Sequence, residues 1–281
     1  MTGIIRQQLL TGERALFKSA DLEIINSTFA DGESPLKECS DITLRGSMFK
    51  WKYPMWYSKR LSLKDCIMFD TARAGIWYTD DIEMTDCVIE APKAFRRSGN
   101  IRLTNVSFPN AEETLWHCHD VRMQNIRAKG HYFAMNSENM EISDFELIGN
   151  YSFDGARNIV IDNARMLSKD SFWNAENVVV KNSFISGEYI GWNARNVKFV
   201  NCIIESLQGF CYMNDVVLED CTLLNTSLAF EYSTVNADVN SAIDSIKNPL
   251  SGKISAKDIG EIIFDDPKRS DRTKTEIITG K

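Results

Sequence analysis

The chain has 281 residues, 43% of them apolar, and a formal net charge of -7, enough length and apolar content to bury a large core without staples. The acidic balance argues against nucleic acid, which needs a basic face to neutralise phosphates, and no apolar run reaches the roughly 20 residues of a membrane span. The opening MTGIIRQQLLTGERALF has neither a basic stretch nor a continuous apolar segment, so no signal peptide is expected and a cytoplasmic location follows.

Residues 1–10 are expected to cover the open end of a stack of coils. The first coil starts near residue 11, where GERALFK at 12–18 is echoed by GESPLKE at 32–38. From there one register recurs. A first apolar column runs Leu22, Ile42, Leu61, Ile82, Ile101, Val121, Met140, Ile159, Val178, Val197 and Val216. A second, two residues on, runs Ile24, Leu44, Leu63, Met84, Leu103, Met123, Ile142, Ile161, Val180, Phe199 and Leu218. A fixed period near 20 residues is a solenoid signature, and the alternation within each unit is strand patterning.

Polar columns bracket each strand. Asp21, Asp41, Asp81, Asn100, Asp120, Asn139, Asn158, Asn177, Asn196 and Asp215 precede it, with Arg60 the exception. Asn26, Asp65, Asp86, Asn105, Asn125, Asp144, Asn163, Asn182, Asn201 and Asp220 follow it, with Gly46 the exception. These residue types tolerate left-handed backbone and bond locally, so both columns mark corners. The fold predicted is an all-β, right-handed parallel β-helix of about twelve short three-strand coils, its hand taken from the general preference of parallel crossovers.

A third strand is expected at MWYSK 55–59, IWYTD 76–80, LWHCH 115–119, FWNAE 172–176 and GWNAR 191–195. Its small residues (Ser58, Thr79, Cys118, Ala175, Ala194) should point inward, with Trp56, Trp77, Trp116, Trp173 and Trp192 as a stacked core ladder. Outward on the same side stand Tyr57, Tyr78, Arg97 and His117, then Lys59, Asp80, Gly99, His119 and Glu138.

Two of the chain's three histidines, His117 and His119, fall here. Residues two apart on a strand share a face, which makes this pair a weak candidate for a divalent metal such as zinc, with Glu138, Asp80 and His131 in reach. Without metal, Tyr57, Tyr78, Arg96, Arg97, His117, His119 and Glu138 form a candidate site for an acidic sugar, by ring stacking and charge-assisted hydrogen bonds. Pairing of an arginine with Glu112 or Glu113 is the bland alternative. The seven cysteines sit in columns of small residues, as buried free thiols would.

Past Val216 the pattern loosens. Residues 224–240 give one more coil, 241–264 an irregular coil and cap, and DDPKRSDRTKTEIITGK a polar tail. One domain over 1–264 and a tail over 265–281 are expected.

The stacked coils resemble the pectin-lyase-like superfamily. At finer grain TGERALFKS, DGESPLKE, KYPMWY and NPLSGKISA resemble an uncharacterised bacterial family of nearly this length, a domain of unknown function. That resemblance covers residues 11–264 and implies the fold, with no assigned reaction. The superfamily's lyases and hydrolases act on uronic-acid polymers and wall a cleft with long loops. No loop here is long enough for that, and none of their catalytic motifs maps onto this sequence. Three functions are in play: a carbohydrate-binding or carbohydrate-active β-helix, a non-enzymatic cytoplasmic scaffold that associates through its coil ends or a flat face, and a metal-dependent hydrolase on His117 and His119.

Overall fold

A computed structural model describes residues 3–280; Met1, Thr2 and Lys281, at the ends of the expected cover and tail, lie outside it. The chain divides into two compact units, one ending at Asp144 and the other beginning at Phe145. Both are parallel β-solenoids, about 15 turns in all.

In the first unit, Gly3–Arg6, Ala20–Ile25, Ser40–Arg45, Lys59–Lys64, Asp80–Thr85, Gly99–Thr104 and His119–Lys129 succeed one another in parallel. Their register is the one written in the sequence: Ile42 opposes Leu61, Leu61 opposes Ile82, and Ile101 opposes Val121. The second unit has a column of the same kind, through Ile159, Val178, Val197, Val216 and Val235. Both apolar columns are buried in each unit, Leu22 excepted. Burial on this pattern is the main driving force for a stack of short strands.

The extra turns lie at the ends. Gly3–Arg6 is a full rung against Ala20–Ile25, not a cover. Of the stretch 265–281, read from its polarity as a tail, the described residues 265–280 are built into the second unit instead. Thr275–Ile278 pairs in parallel with Ser251–Ser255, and buried Ser270 donates its hydroxyl to Pro249 O at 2.6 Å. Ile277 opposing Ile254 supplies the apolar contact that the surrounding charges mask in the sequence.

The corners are as expected. Asp21, Asp41, Asp81, Asn100 and Asp120 all adopt φ between +49° and +59°, and Arg60 in the same column does too, at +55°. Their side chains bond from rung to rung in one direction. Arg60 donates both guanidinium arms to Asp41 (2.6 and 2.7 Å), Asn139 donates to Asp120 at 3.1 Å, and Asn125 donates to Asn105, which donates to Asp86 (2.8 and 2.9 Å). In the second unit Asn196 donates to Asn177 and Asn177 to Asn158 (2.8 and 3.0 Å).

The third side is not a strand. Apart from the two-residue pieces Ile76–Trp77 and Phe95–Arg96, it is a run of turns. Each rung of it in the first unit places a residue in left-handed backbone: Tyr57 (+57°), Tyr78 (+55°), Arg97 (+49°), His117 (+53°) and Asn136 (+54°). The kink moves the inward positions three apart, to Met55 and Ser58, Ile76 and Thr79, Leu115 and Cys118, all buried. The tryptophans between them are therefore half-buried on the outside, and the aromatic core is built of phenylalanine. Phe29 stacks flat on Phe49 at 4.7 Å in one unit, and Phe153 on Phe172 at 5.4 Å in the other.

The small buried column solves a problem the turns create. Kinked backbone leaves amides without a ladder partner, and a buried orphan is costly. Here Ser58 N donates to Thr79 Oγ1 (3.2 Å) and Thr79 N to Ser98 Oγ (3.1 Å), while Thr79 Oγ1 donates onward to Met55 O (2.7 Å). All seven cysteines are buried free thiols. Burial pushes Cys118 up to about 12 and Cys39 to about 11, so neither is a thiolate at neutral pH.

Candidate functional site

Two ladders of side chains climb the turn side of the first unit next to each other. The inner one is Trp56, Trp77, Arg96 and Trp116. Trp56 and Trp77 stack at 5.1 Å and 6°, and each indole N–H donates to a backbone carbonyl of the next rung, Ala74 O at 2.6 Å and Lys93 O at 2.9 Å. Arg96 takes the next place in the stack. Its guanidinium lies 4.5 Å from the Trp77 ring and 4.6 Å from the Trp116 ring, and it donates to Glu113 at 3.0 Å. A planar, weakly hydrated cation fits between two indoles as an ammonium does not. The pairing with Glu113 is thus the one realised, and Arg96 is a structural rung of the ladder.

The outer ladder is Tyr57, Tyr78, Arg97 and His117. The two phenol rings are parallel, 4.8 Å apart at 4°. The Lys37 ammonium sits over the Tyr57 ring at 5.6 Å, and the Arg97 guanidinium over the Tyr78 ring at 6.0 Å. Each ring thus has the other phenol on one face and a cation near the opposite face, an arrangement that disfavours the platform stacking expected for this site. What points outward are the ring edges, the phenol hydroxyls and the two cations. Tyr57 is 50% exposed. Among the described residues, Lys37 and Arg97 make no ion pair and the Tyr57 and Tyr78 hydroxyls have no hydrogen-bond partner.

His117 crowns this ladder, and burial together with Arg97 and Arg96 holds its imidazole below the usual histidine range. His119 is turned elsewhere. It opens the strand His119–Lys129 while His117 lies in left-handed turn backbone, so the pair does not share a strand face. The His119 ring lies over Gly99, in the space a Cβ there would fill, and its Nδ1 is 2.8 Å from Asp120. Asp80 accepts the Gly99 N–H at 2.8 Å. Glu138 is exposed at the start of its strand. Among the described residues no group of three or more His, Cys, Asp or Glu side chains is placed to hold a metal ion.

The second unit shows what a tyrosine of this register does with an acid. Tyr232, at left-handed φ (+51°), donates its hydroxyl to Asp266 at 2.8 Å, with the Arg269 guanidinium 3.7 Å above its ring. The carboxylate's demand for that proton raises the Tyr232 pKa. Sequence reading missed Lys37, Asp266 and Arg269. Lys37 lies one rung below Trp56 in the inner register, and its place was readable from the period. The two others reach the ladder from the end of the chain, which no repeat announces.

In fold the chain is similar to PfbA, a surface adhesin of Streptococcus pneumoniae (10% identity, TM-score 0.41, 76% of this chain and 71% of that one). It is also similar to a mutant tailspike protein of E. coli bacteriophage HK620 in complex with a pentasaccharide (8% identity, TM-score 0.41, 99% and 72%). A third is a mannuronic acid specific polysaccharide family 6 lyase from human gut microbiota (9% identity, TM-score 0.38, 92% and 83%). No curated protein matches the sequence. The family expected from the motifs at both ends is the one found: a family model spans residues 3–278, and the chain belongs to the family described as Protein of unknown function (DUF3737).

Proposed function

We propose that the outer ladder of the first unit binds an acidic carbohydrate, by hydrogen bonds and charge at the ring edges and not by stacking on ring faces. The observation that carries this reading is the row itself. Lys37 and Arg97 cap the two faces of the Tyr57–Tyr78 stack, and the hydroxyls and cations left outward are donors without a protein acceptor. A carboxylate among several hydroxyls complements such a row, because charge-assisted hydrogen bonds are the strong ones. The Tyr232–Asp266–Arg269 contact in the second unit is the same chemistry made within the protein. Arg96 supports the row from behind, and His117 extends it by one uncharged imidazole. The role proposed is binding; no residue is assigned to bond cleavage.

The test is calorimetric titration with a uronic-acid oligosaccharide and with a neutral glucan of equal length, on wild type and Arg97→Ala. Binding of the uronate alone, weakened by salt and lost in the variant, is the expected result. Equal binding of both sugars, or an Arg97→Ala protein that binds like wild type, would overturn the proposal.

A further inference from the structure

The two cations of the row stand three rungs apart, with two tyrosines between them. Adjacent parallel strands are about 4.8 Å apart, so Lys37 and Arg97 are separated by about 15 Å along the stacking direction, more than a Debye length of about 8 Å at physiological salt. One acidic ring reaches a single rung and therefore a single cation. The spacing is fixed, since Tyr57 N bonds to Trp77 O (3.0 Å), Tyr78 N to Arg96 O (2.9 Å) and Arg97 N to Trp116 O (2.9 Å). At the lower end Glu38 shares the rung of Lys37 and is held by Lys18 of the rung below at 3.5 Å, and at the upper end His117 and Asn136 follow Arg97. Across the row, Asp80 and Glu138 stand on one side and Glu113 on the other, so an anionic chain crossing it sideways meets carboxylates.

We infer that this row takes a linear acidic chain of at least four units, lying along the direction in which the rungs stack, with acid groups at its ends on Lys37 and Arg97 and its middle on the two phenol hydroxyls. The inference rests on reading the row as an acidic-carbohydrate site, and it adds the ligand's length, direction and charge spacing. An extended pyranose chain advances by a distance comparable to one rung per residue, so its charges keep step with the ladder. Two separated contacts joined by one chain gain through effective concentration, and a preformed row loses little on binding.

The experiment is calorimetry with uronic-acid oligomers from monomer to hexamer, and with oligoglutamates of the same lengths, on wild type, Lys37→Gln and Arg97→Gln. Uronate affinity should climb to the tetramer, at least about tenfold above the dimer, and then level. Either substitution should bring the tetramer down to about the dimer's affinity. A monomer as tight as the tetramer, or a tetramer unaffected by both substitutions, would overturn the inference. If only the oligoglutamates bind, with the step at four, the linear acidic ligand stands and the carbohydrate reading falls. If no oligomer of either kind binds, both fall.

Discussion

Replacing Arg96 by alanine separates the ladder's structural arginine from its neighbour. The guanidinium contacts two indoles, at 4.5 and 4.6 Å, each worth about 0.5–2 kcal/mol in a partly desolvated place. Its aliphatic stem adds about 1 kcal/mol of packing. The ion pair adds little on removal, because Lys93 stays 3.1 Å from the same Glu113 oxygen. Arg96→Ala should therefore cost about 2–5 kcal/mol. Arg96→Lys should cost less, about 1–2 kcal/mol, since an ammonium keeps the charge and loses the flat fit. Arg97→Ala should change stability by no more than about 0.5 kcal/mol, as an exposed group 6.0 Å from one ring. Urea unfolding followed by tryptophan fluorescence reads all three. An Arg96→Ala protein as stable as wild type, or an Arg97→Ala protein equally weakened, would refute the assignment of structure to one arginine and surface to the other.

Other expectations follow from particular contacts. Thr79→Val keeps the shape and removes the hydroxyl that accepts Ser58 N–H and donates to Met55 O; it should cost about 1–3 kcal/mol in urea unfolding. The folded pKa of His117 is depressed, so the folded state holds fewer protons than the unfolded one from pH 6.5 down to the folded pKa, and stability falls as pH drops through that window. His117→Asn, with a residue suited to left-handed backbone as at Asn136, should flatten that fall, and equal pH slopes in both proteins would contradict the assignment. Gly99→Ala meets first the His119 ring, an exposed side chain with room to turn aside, whereas Gly252→Ala, at φ +118°, meets the Val235 carbonyl. The first should cost less than about 1 kcal/mol and shift the His119 NMR signals, and the second should cost about 2 kcal/mol or more. Similar losses for the two would undo this reading.

The strand columns and the corners were legible because their physics is local: alternation of Ile42 and Leu44, and an Asn or Asp wherever the backbone turns left-handed. The turn side was misread because Trp56-Tyr57-Ser58 alternates like a strand. The signal that separates the two was present, in apolar residues three before each small one (Met55, Ile76, Phe95, Leu115), which fits a kinked backbone and not a flat one. Left-handed tyrosine, arginine and histidine have no local signature, since stacking on the neighbouring rung, and not backbone preference, holds them there. The candidate site was located by register, down to Tyr57, Tyr78, Arg97 and His117. Its mode of contact was not, because ring faces that stack on one another can be counted only in three dimensions.

The one-way side-chain bonds at the corners make Asn and Asp unequal there. An asparagine can lend its amide protons to the rung before it and take protons from the rung after it, whereas a carboxylate only takes. A run can therefore begin on an acid, as at Asp86, Asp41 and Asp120, and every later member must donate. Arg60, the outsider of its column, meets that rule by donating to Asp41. Deamidation of Asn105, which donates to Asp86, or of Asn139, which donates to Asp120, would set an acid against an acid with no proton between them. The corner that suits asparagine so well is thus a place where chemical ageing of this chain would remove a bond between rungs.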